Sequence, residues 1–226
     1  MKYNDNRNIS AKQNKDKKII VCGASGNTGK LVVGQALEAG YHVTVIVRNP
    51  DAFKLRNKNL EIINGDVLRP TTFEDAVKEK DAVISCLGST GKEPTTVYSQ
   101  GVSNIAVAMA NTGVKRIICI SAGAVVIPSD GSFIIKFVVK NILQRLFKYI
   151  YADMLLMEKM LGKSDLDWTI IRAPRLTNNK HTGKYRIAIN EHLSNLSSIS
   201  RADLADYIVT HLNDEKAFKA QVEASY

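Results

Sequence analysis

An apolar run that breaks into three evenly spaced glycines constrains this chain more than any other stretch. The run covers residues 17–22, and the glycines are Gly23, Gly26 and Gly29. This order predicts a strand, a tight turn and a helix whose first N–H groups point at an anion. Gly23 permits the sharp exit, Gly26 lets backbone approach a phosphate without an intervening Cβ, and Gly29 lets the helix pack closely on the strand.

The context of the turn favours a nucleotide site over a purely structural turn. A strand precedes the glycines, a helix follows as far as Gly40, and a second strand is predicted over residues 41–47. We therefore predict that the turn holds the pyrophosphate of a dinucleotide. The predicted contacts in the turn are Gly23, Ser25, Gly26, Asn27, Thr28 and Gly29.

Length and composition fit one α/β domain with a short leader. The 226 residues are 45% hydrophobic with a mean hydropathy of −0.11, enough for one sizeable core. Residues 1–16 lack periodicity and are rich in Asn, Lys and Asp, so we expect a disordered leader and a single domain over 17–226. The sequence shows neither a signal-peptide pattern nor 18 uninterrupted apolar residues, which predicts a cytoplasmic protein.

The three cysteines predict neither disulfides nor a metal site. Cys22, Cys86 and Cys119 each fall within or at the end of a predicted buried strand, without metal-ligand spacing. We interpret them as small, reduced core residues.

The net charge of +9 is concentrated in two segments. Residues 1–17 carry five cationic and two acidic side chains, and residues 133–151 carry four cations and no acid. The rest of the chain is mildly basic, which suits an anionic cofactor better than a nucleic-acid duplex. Because no helix-turn-helix, zinc-finger or aromatic RNA-binding motif occurs, we predict no nucleic-acid partner.

Short apolar runs alternate with helical patterns along the domain. This alternation predicts an α/β protein with a doubly wound parallel sheet, the Rossmann fold, and a small C-terminal substrate region. The six predicted strands are Ile19–Cys22, His42–Val47, Leu60–Ile63, Ala82–Leu87, Arg116–Ile120 and Trp168–Arg172. Predicted helix starts are the capping boxes at 71–74 and 200–203, and Pro94–Thr96, whose helix ends before Gly113.

Ligands of such sheets bind beyond the carboxyl ends of the strands. Arg48 follows the second strand, where a site for NAD would carry an acidic residue, and its guanidinium can bind a 2′-phosphate. This favours NADP(H) as the cofactor, and the alternative is an ordinary solvated arginine.

The turns after the third and fourth strands add further predicted cofactor contacts. These are Asp66, Val67, Leu87 and Gly88. Asp66 is expected either to accept from the adenine amino group or to cap its own turn. Gly88 either brings backbone close to the cofactor or simply forms a turn.

The last two predicted strands end where nicotinamide and substrate are expected to meet. Ser121 is the predicted catalytic residue and a cofactor contact, and the alternative is a hydroxyl bonded to local backbone. Pro174 is predicted to contact the cofactor, and Ala122 and Arg175 the substrate. The substrate-side region is expected to comprise residues 122–151 and 173–200.

These motifs resemble the atypical short-chain dehydrogenase/reductases of the NmrA-like branch, whose glycine turn is G-x-x-G-x-x-G. The chain is more closely similar to the biliverdin-IXβ reductase/flavin reductase family, from residue 18 to about residue 212. The matching segments are 23–29 (GASGNTG), 45–48 (VIVR), 65–68 (GDVL), 94–97 (PTTV), 104–105 (NI), 121–122 (SA) and 182–185 (TGKY). The resemblance implies an NADP(H)-binding domain and a serine, here Ser121, near the substrate.

Two departures from related enzymes bear on the chemistry. The Tyr-x-x-x-Lys pair of ordinary short-chain dehydrogenases is missing, which disfavours alcohol and ketone substrates. Tyr98, Tyr149, Tyr151 and Tyr185 are followed four residues later by Val102, Asp153, Leu155 and Ile189. Arg175 aligns with a histidine of the flavin reductases, which argues against biliverdin, and His181 is read as a solvated loop residue.

Residues 133–151 predict a basic amphipathic helix. Its apolar face comprises Ile135, Val139, Ile142, Leu143, Leu146 and Ile150, and Lys136, Lys140 and Lys148 share another face. A helix packed on the domain is the simplest interpretation. A lid over the substrate crevice and a surface that touches anionic lipid or a partner are the alternatives.

The sequence therefore predicts an NADP(H)-dependent reductase that passes hydride to a planar conjugated acceptor such as a flavin or a quinone. Such acceptors need little general-acid help, which suits a site without Tyr-x-x-x-Lys. The alternative is a non-catalytic NADP(H)-binding redox sensor or assembly factor, for which the basic helix would be the partner surface.

Overall fold

The computed structural model describes residue 14 and residues 16–89, 93–126 and 133–226. Its strands are β1 (Lys18–Cys22), β2 (His42–Val47), β3 (Leu60–Asn64), β4 (Ala82–Ser85), β5 (Arg116–Ala122), β6 (Asp167–Ala173), β7 (Arg175–Thr177), β8 (Arg186–Ile189), β9 (Ser198–Ser200) and β10 (Ala220–Ser225). Its α-helices are α1 (Asn27–Glu38), α2 (Glu74–Val77), α3 (Ser99–Thr112), α4 (Phe133–Val138), α5 (Gln144–Leu146), α6 (Lys148–Leu161) and α7 (Arg201–Thr210). Most of the predicted leader lies outside the described residues.

Eight strands form one sheet in the order β3-β2-β1-β4-β5-β6-β10-β8. Neighbours from β3 through β10 run parallel, and β8 runs antiparallel to β10 at the edge. The strand order reverses between β1 and β4, which is where a doubly wound sheet opens its ligand crevice. The six predicted strands and the Rossmann-like architecture are confirmed, whereas β7 to β10 were not predicted. β7 and β9 form a separate two-stranded sheet.

Helices cover both faces of the sheet and divide the core in two. On one face α1 and α7 bury an apolar stripe that includes Val32, Val33, Leu204 and Ile208. On the other face α3 and α6 do the same with residues that include Ile105, Met109, Met157 and Leu161. Continuous apolar strands are expected when both faces are covered, which is why six strands were recognisable from the sequence.

All three cysteines are buried free thiols, as predicted. Burial raises the pKa of Cys22 and of Cys119 to about 12, and it raises the pKa of Cys86 as well. Each thiol therefore stays protonated at neutral pH and behaves as a small apolar side chain.

Of the two predicted capping boxes, the structure confirms one and contradicts the other. Ser200 caps α7 as predicted, because its Oγ accepts from the N–H of Asp203 at 2.9 Å. The box at 71–74 is wrong: Pro70–Thr72 is a 3₁₀ turn, and α2 begins only at Glu74. Thr72 Oγ is engaged elsewhere, since it accepts from Asp66 N–H at 2.9 Å and donates to the Arg69 carbonyl at 2.7 Å.

Helix α3 begins at Ser99, three residues beyond the predicted Pro94–Thr96 start. Its first amides are capped from a distance by Asp153 of α6, which accepts from Tyr98 N–H at 2.9 Å and from Ser99 N–H at 3.3 Å. The predicted end is confirmed, because Gly113 adopts a left-handed conformation with φ of 77° directly after the helix.

The basic segment is helical but interrupted. A π-helical turn, Val139–Leu143, separates α4 from α5, and Phe147 breaks the path into α6 with φ of −112°. Val139 and Ile150 are buried, so the segment packs on the domain as predicted. Ile142 and Leu146 of the same predicted face are exposed, which corrects that part of the prediction. Among the described residues no helix is long and apolar enough to span a bilayer.

A buried carboxylate ties the C-terminal segments together. Asp203 accepts from Thr182 and Gly183 N–H at 2.8 Å each and from Tyr226 O–H at 2.5 Å. Burial alone would raise the pKa of Asp203, but these hydrogen bonds outweigh it and hold the pKa below its usual value. The loop after β7, helix α7 and the chain end are thereby fixed to one another.

We expect Asp203→Asn to lower the free energy of unfolding by about 3 kcal/mol, because donors that met a carboxylate lose charge-assisted partners. In the wild type, the stabilisation from this carboxylate is present above about pH 4 and is lost as the pH falls through its depressed folded pKa. The variant should lack that pH dependence. Urea unfolding at several pH values measures both effects, with Asp165→Asn at an exposed position before β6 as the control.

Candidate functional site

The glycine turn after β1 leaves no room for side chains at two positions. Gly23 has φ of +77°, and a Cβ there would lie 2.3 Å from the carbonyl oxygen of Cys86. A Cβ on Gly29 would lie 2.2 Å from the carbonyl oxygen of Gly23. Backbone of the turn therefore packs directly on the end of β4 and on the first turn of α1, as predicted from the glycine spacing.

Gly26, the remaining glycine of the turn, lies at the surface, where a phosphate could approach it. Gly26 precedes α1, and its neighbours Ser25 and Asn27 are exposed at the carboxyl edge of the sheet. Helix α1 has no side-chain cap and no acidic residue in its first turn. Its first N–H groups are thus available to donate to an anion, with the helix dipole favouring negative charge. This cradle fits the pyrophosphate of a dinucleotide.

Arg48 follows β2 at the same edge and is exposed. In the described part of the chain it forms no ion pair, and the adjacent Asn49 caps the next 3₁₀ turn by accepting from Ala52 N–H at 3.3 Å. An exposed guanidinium one strand away from the phosphate cradle suits a 2′-phosphate on the adenosine ribose. Its role stays a prediction.

The turn after β3 is fixed by its own residues. One oxygen of Asp66 accepts from Leu68 N–H at 3.0 Å, so the turn-capping alternative describes its geometry. The carbonyl of the buried Val67 accepts from Asn104 on α3 at 2.8 Å. A contact from Asp66 to adenine stays a prediction.

The end of β4 leads into Leu87 and Gly88. Nothing lies within 4 Å of the position that a Cβ on Gly88 would take, so this backbone borders open space. The next residue, Ser89, donates its N–H to the hydroxyl of Tyr98 at 3.0 Å. The predicted cofactor contacts of Leu87 and Gly88 stay predictions.

Ser121 belongs to a buried charged network at the ends of β5 and β6. Its Oγ donates to Oε1 of Glu158 at 2.6 Å. Arg172 donates to Oε2 of the same carboxylate from Nη2 at 2.6 Å and from Nε at 3.2 Å. Ser121 and Arg172 are register partners on neighbouring strands, and Glu158 approaches them from α6. Glu158 is buried and Arg172 is partly buried, and the two charges pair with each other, as charges removed from water must.

This network changes the picture of Ser121. The sequence offered either a hydroxyl pointing at nicotinamide and substrate or one bonded to local backbone, and the structure gives a third arrangement. Because the carboxylate accepts its hydrogen, Ser121 retains only lone pairs with which to accept from a ligand.

The other predicted residues of this end surround the same edge. Ala122 and Pro174 are partly buried directly beyond the network, and Arg175 is exposed at the start of β7. Their contacts with cofactor and substrate stay predictions.

Asp153, one of the residues that stand four positions after a tyrosine, is a structural acid. Asp153, four residues after Tyr149, points at the first amides of α3. Burial raises the pKa of Tyr98 and of Tyr151, so both phenols are weaker acids than a free tyrosine. Neither phenol is tuned for proton donation at neutral pH.

A family model described as NAD(P)H-binding matches residues 23–215. The chain belongs to this NAD(P)H-binding family. The match runs from the glycine turn directly after β1 to the residues after α7, so it includes the phosphate cradle.

Curated relatives of this NAD(P)H-binding protein are distant. An uncharacterized chloroplastic protein of Arabidopsis thaliana is 29% identical over 217 residues, which cover 91% of this chain and 75% of that protein. The photosystem II assembly factor Ycf39 of Synechocystis is 27% identical over 108 residues, which cover 46% of this chain and 33% of the factor.

Solved structures share the fold. A proposed NADH-flavin reductase from Streptococcus pneumoniae superimposes with a TM-score of 0.73 at 23% identity, covering 92% of this chain and 99% of its own. A short-chain dehydrogenase/reductase from Veillonella parvula in complex with NADP gives a TM-score of 0.75 at 19% identity, covering 93% and 94%.

Sequence reasoning missed Glu158, Arg172 and Asp153. Arg172 carried a signal, because a charged residue near the end of an otherwise apolar strand needs a partner. Glu158 and Asp153 lie on α6, and only the packing of that helix decides which residues they contact.

We expect Gly26→Ala to weaken NADPH binding at least tenfold, because the new methyl group would intrude between backbone and pyrophosphate. The new Cβ would lie 3.3 Å from the carbonyl oxygen of Gly23, a tight contact that a shift of a few tenths of an ångström relieves, so the fold should survive. Isothermal titration calorimetry measures the affinity. Gly34→Ala on the same helix is the control: its Cβ meets nothing within 4 Å, so NADPH should bind unchanged. Unchanged affinity in Gly26→Ala would refute the cradle assignment.

Proposed function

We propose that this NAD(P)H-binding protein is an NADPH-dependent reductase whose acceptor is a planar conjugated molecule of the flavin or quinone type. The observation that carries the proposal is that the hydroxyl hydrogen of Ser121 goes to Glu158. Reduction of an ordinary ketone needs a group that protonates the developing alkoxide. Flavins and quinones spread the incoming charge over a conjugated ring, so solvent can supply that proton.

The chain's own residues would bind the cofactor and orient the acceptor. The turn from Gly23 to Gly29 and the first turn of α1 hold the pyrophosphate, and Arg48 binds the 2′-phosphate. When bound, the nicotinamide supplies a hydride, and one solvent proton completes a two-electron reduction. Ser121 would accept a hydrogen bond from the carboxamide or the acceptor, held in position by Glu158.

The substrate side would be built from the carboxyl ends of β5 and β6. Ala122 and Pro174 offer small and rigid walls on either side of the network. The exposed guanidinium of Arg175 would attract an anionic acceptor, such as the phosphate of a flavin mononucleotide. The likeness to a proposed NADH-flavin reductase supports this choice of acceptor class.

A second candidate is a non-catalytic NADP(H)-binding assembly factor or redox sensor. The partial match to Ycf39 favours it, as does the absence of a Tyr-x-x-x-Lys pair from the sequence. In this case NADPH and NADP would both bind without turnover.

We expect Arg48→Asp to weaken NADPH binding by about tenfold to a hundredfold, because a charge-assisted contact with the 2′-phosphate is replaced by repulsion. NADH, which lacks this phosphate, should be affected little. Fluorescence titration with both cofactors gives the ratio. Lys58→Asp, at the amino edge of the sheet, controls for net charge. Equal losses for NADPH and NADH would refute the assignment of Arg48.

Purified protein is expected to oxidise NADPH in the presence of flavin mononucleotide, riboflavin or a quinone, followed by nicotinamide absorbance. Ser121→Ala should lower kcat about tenfold with little change in NADPH affinity. The variant would lose the hydrogen bond that orients the reacting groups, but it would keep the contacts that bind the cofactor. Ser103→Ala on α3 is the matched control.

Two outcomes would contradict the proposal. Comparable rates on simple ketones would show that the site has a proton donor. The hydrogen bond from Ser121 to Glu158 would then no longer support a flavin or quinone acceptor. Tight NADPH binding without turnover on any acceptor would favour the second candidate.

A further inference from the structure

The helical segment 133–149, termed the basic arm, exposes an unusual amount of apolar surface. Phe133 is 83% exposed, Phe137 53% and Ile142 50%. Val138, Leu146 and Tyr149 are also exposed, so exposed apolar residues occur along the whole length of the arm, and we term them its apolar stripe. Isolated exposed apolar residues are common on proteins, but a contiguous stripe marks an interaction surface.

The charged side chains of the arm itself are all cationic. Lys140, Arg145 and Lys148 are exposed on the arm. From residue 133 to residue 161 the acids are Asp153 and Glu158, and both are buried and engaged. The arm and helix α6 therefore expose cations and apolar groups but no acidic side chain.

The domain holds the arm in place from beneath. Val139 and Ile150 are buried in the core, and Nε2 of Gln144 donates to the carbonyls of Ala124 and Val125 at 3.3 and 3.4 Å. The arm is thus attached to the domain on one side, while its apolar stripe stays exposed.

We propose that the basic arm binds the surface of an anionic lipid bilayer, with its apolar stripe in the headgroup region and its cations on lipid phosphates and carboxylates. Aromatic and aliphatic groups flanked by Lys and Arg are the composition of interfacial helices. Exposed cations without a single exposed acid match a negatively charged surface.

Other occupants fit less well. A second copy would place one set of cations against another, and the leader carries net positive charge, so both are repelled. A nucleic acid offers phosphates but no apolar phase for Phe133, Phe137 and Ile142. An acidic protein partner would need a surface that matches the positions of these apolar residues and cations, whereas a bilayer adapts to them.

Binding is tested by co-sedimentation of the full chain with vesicles of phosphatidylcholine alone and of equal parts phosphatidylcholine and phosphatidylserine. We expect the mixed vesicles to bind at least tenfold more tightly, with affinity falling as salt is added. Arg145→Glu/Lys148→Glu should weaken this binding tenfold or more.

Two controls separate the arm from general effects. Lys58→Glu/Lys216→Glu changes the net charge equally at exposed sites elsewhere and should leave binding within about twofold of wild type. Ile142→Ser should lose most of the binding, whereas Val107→Ser, equally exposed on α3, should retain it. Thermal unfolding and NADPH titration check that each variant is folded.

Three results would overturn the proposal. These are equal affinity for both vesicle types, equal losses in the arm and control charge variants, and no vesicle binding by a protein that self-associates through the arm. The last result would identify the arm as an interface between copies. None of these readouts depends on reductase activity, so the arm and the proposed function can fail separately.

Discussion

Direct backbone contact at the glycine turn is the constraint on which the rest of the structure depends. The backbone of Gly23 contacts the Cys86 carbonyl at the end of β4, and the backbone of Gly29 contacts the Gly23 carbonyl. Both contacts are too close to leave room for a Cβ on either glycine. These two contacts fix β1, β4 and α1 as one unit, at the point where the strand order reverses. The phosphate cradle is therefore formed before any ligand arrives. Arg48 and Ser121 gain their proposed roles from their places relative to it, each at the carboxyl end of a strand in the same sheet.

The substrate end is organised by charge rather than by backbone contact. Burying Glu158 and Arg172 carries a desolvation cost, and it is offset by paired hydrogen bonds and by the hydroxyl of Ser121. Such a network stabilises little in net terms, but it fixes the relative positions of β5, β6 and α6. It also keeps the serine hydrogen away from an acceptor carbonyl. A site built this way favours acceptors that need positioning more than protonation, which is the chemical basis of the proposed function.

Much of the fold was predictable because its central strands are apolar throughout, and its first turn needs glycine. The strands β8 and β10 at one end of the sheet were not predicted. In β10 the polar residues Gln221 and Glu223 interrupt the apolar pattern, and β8 is only four residues long. In the site, the cradle followed from residue spacing alone. The partner of Ser121 did not, because Glu158 lies 37 residues away and meets it only through the packing of α6. Local sequence determines turns and caps, whereas long-range polar pairs depend on tertiary geometry.

The basic arm shows that an apolar sequence pattern predicts a helix face that binds something, but it does not identify what that face contacts. Val139 and Ile150 belong to the same predicted face as Ile142 and Leu146, yet the domain buries only the first pair. The break at Phe147 and the π-helical turn change the path of the helix, so one predicted face becomes two. One half packs on the core and the other stays open beside a set of unopposed cations. Since Gln144 attaches the arm to the residues directly after β5, any surface that the arm binds would lie next to the carboxyl edge where the acceptor is expected to enter.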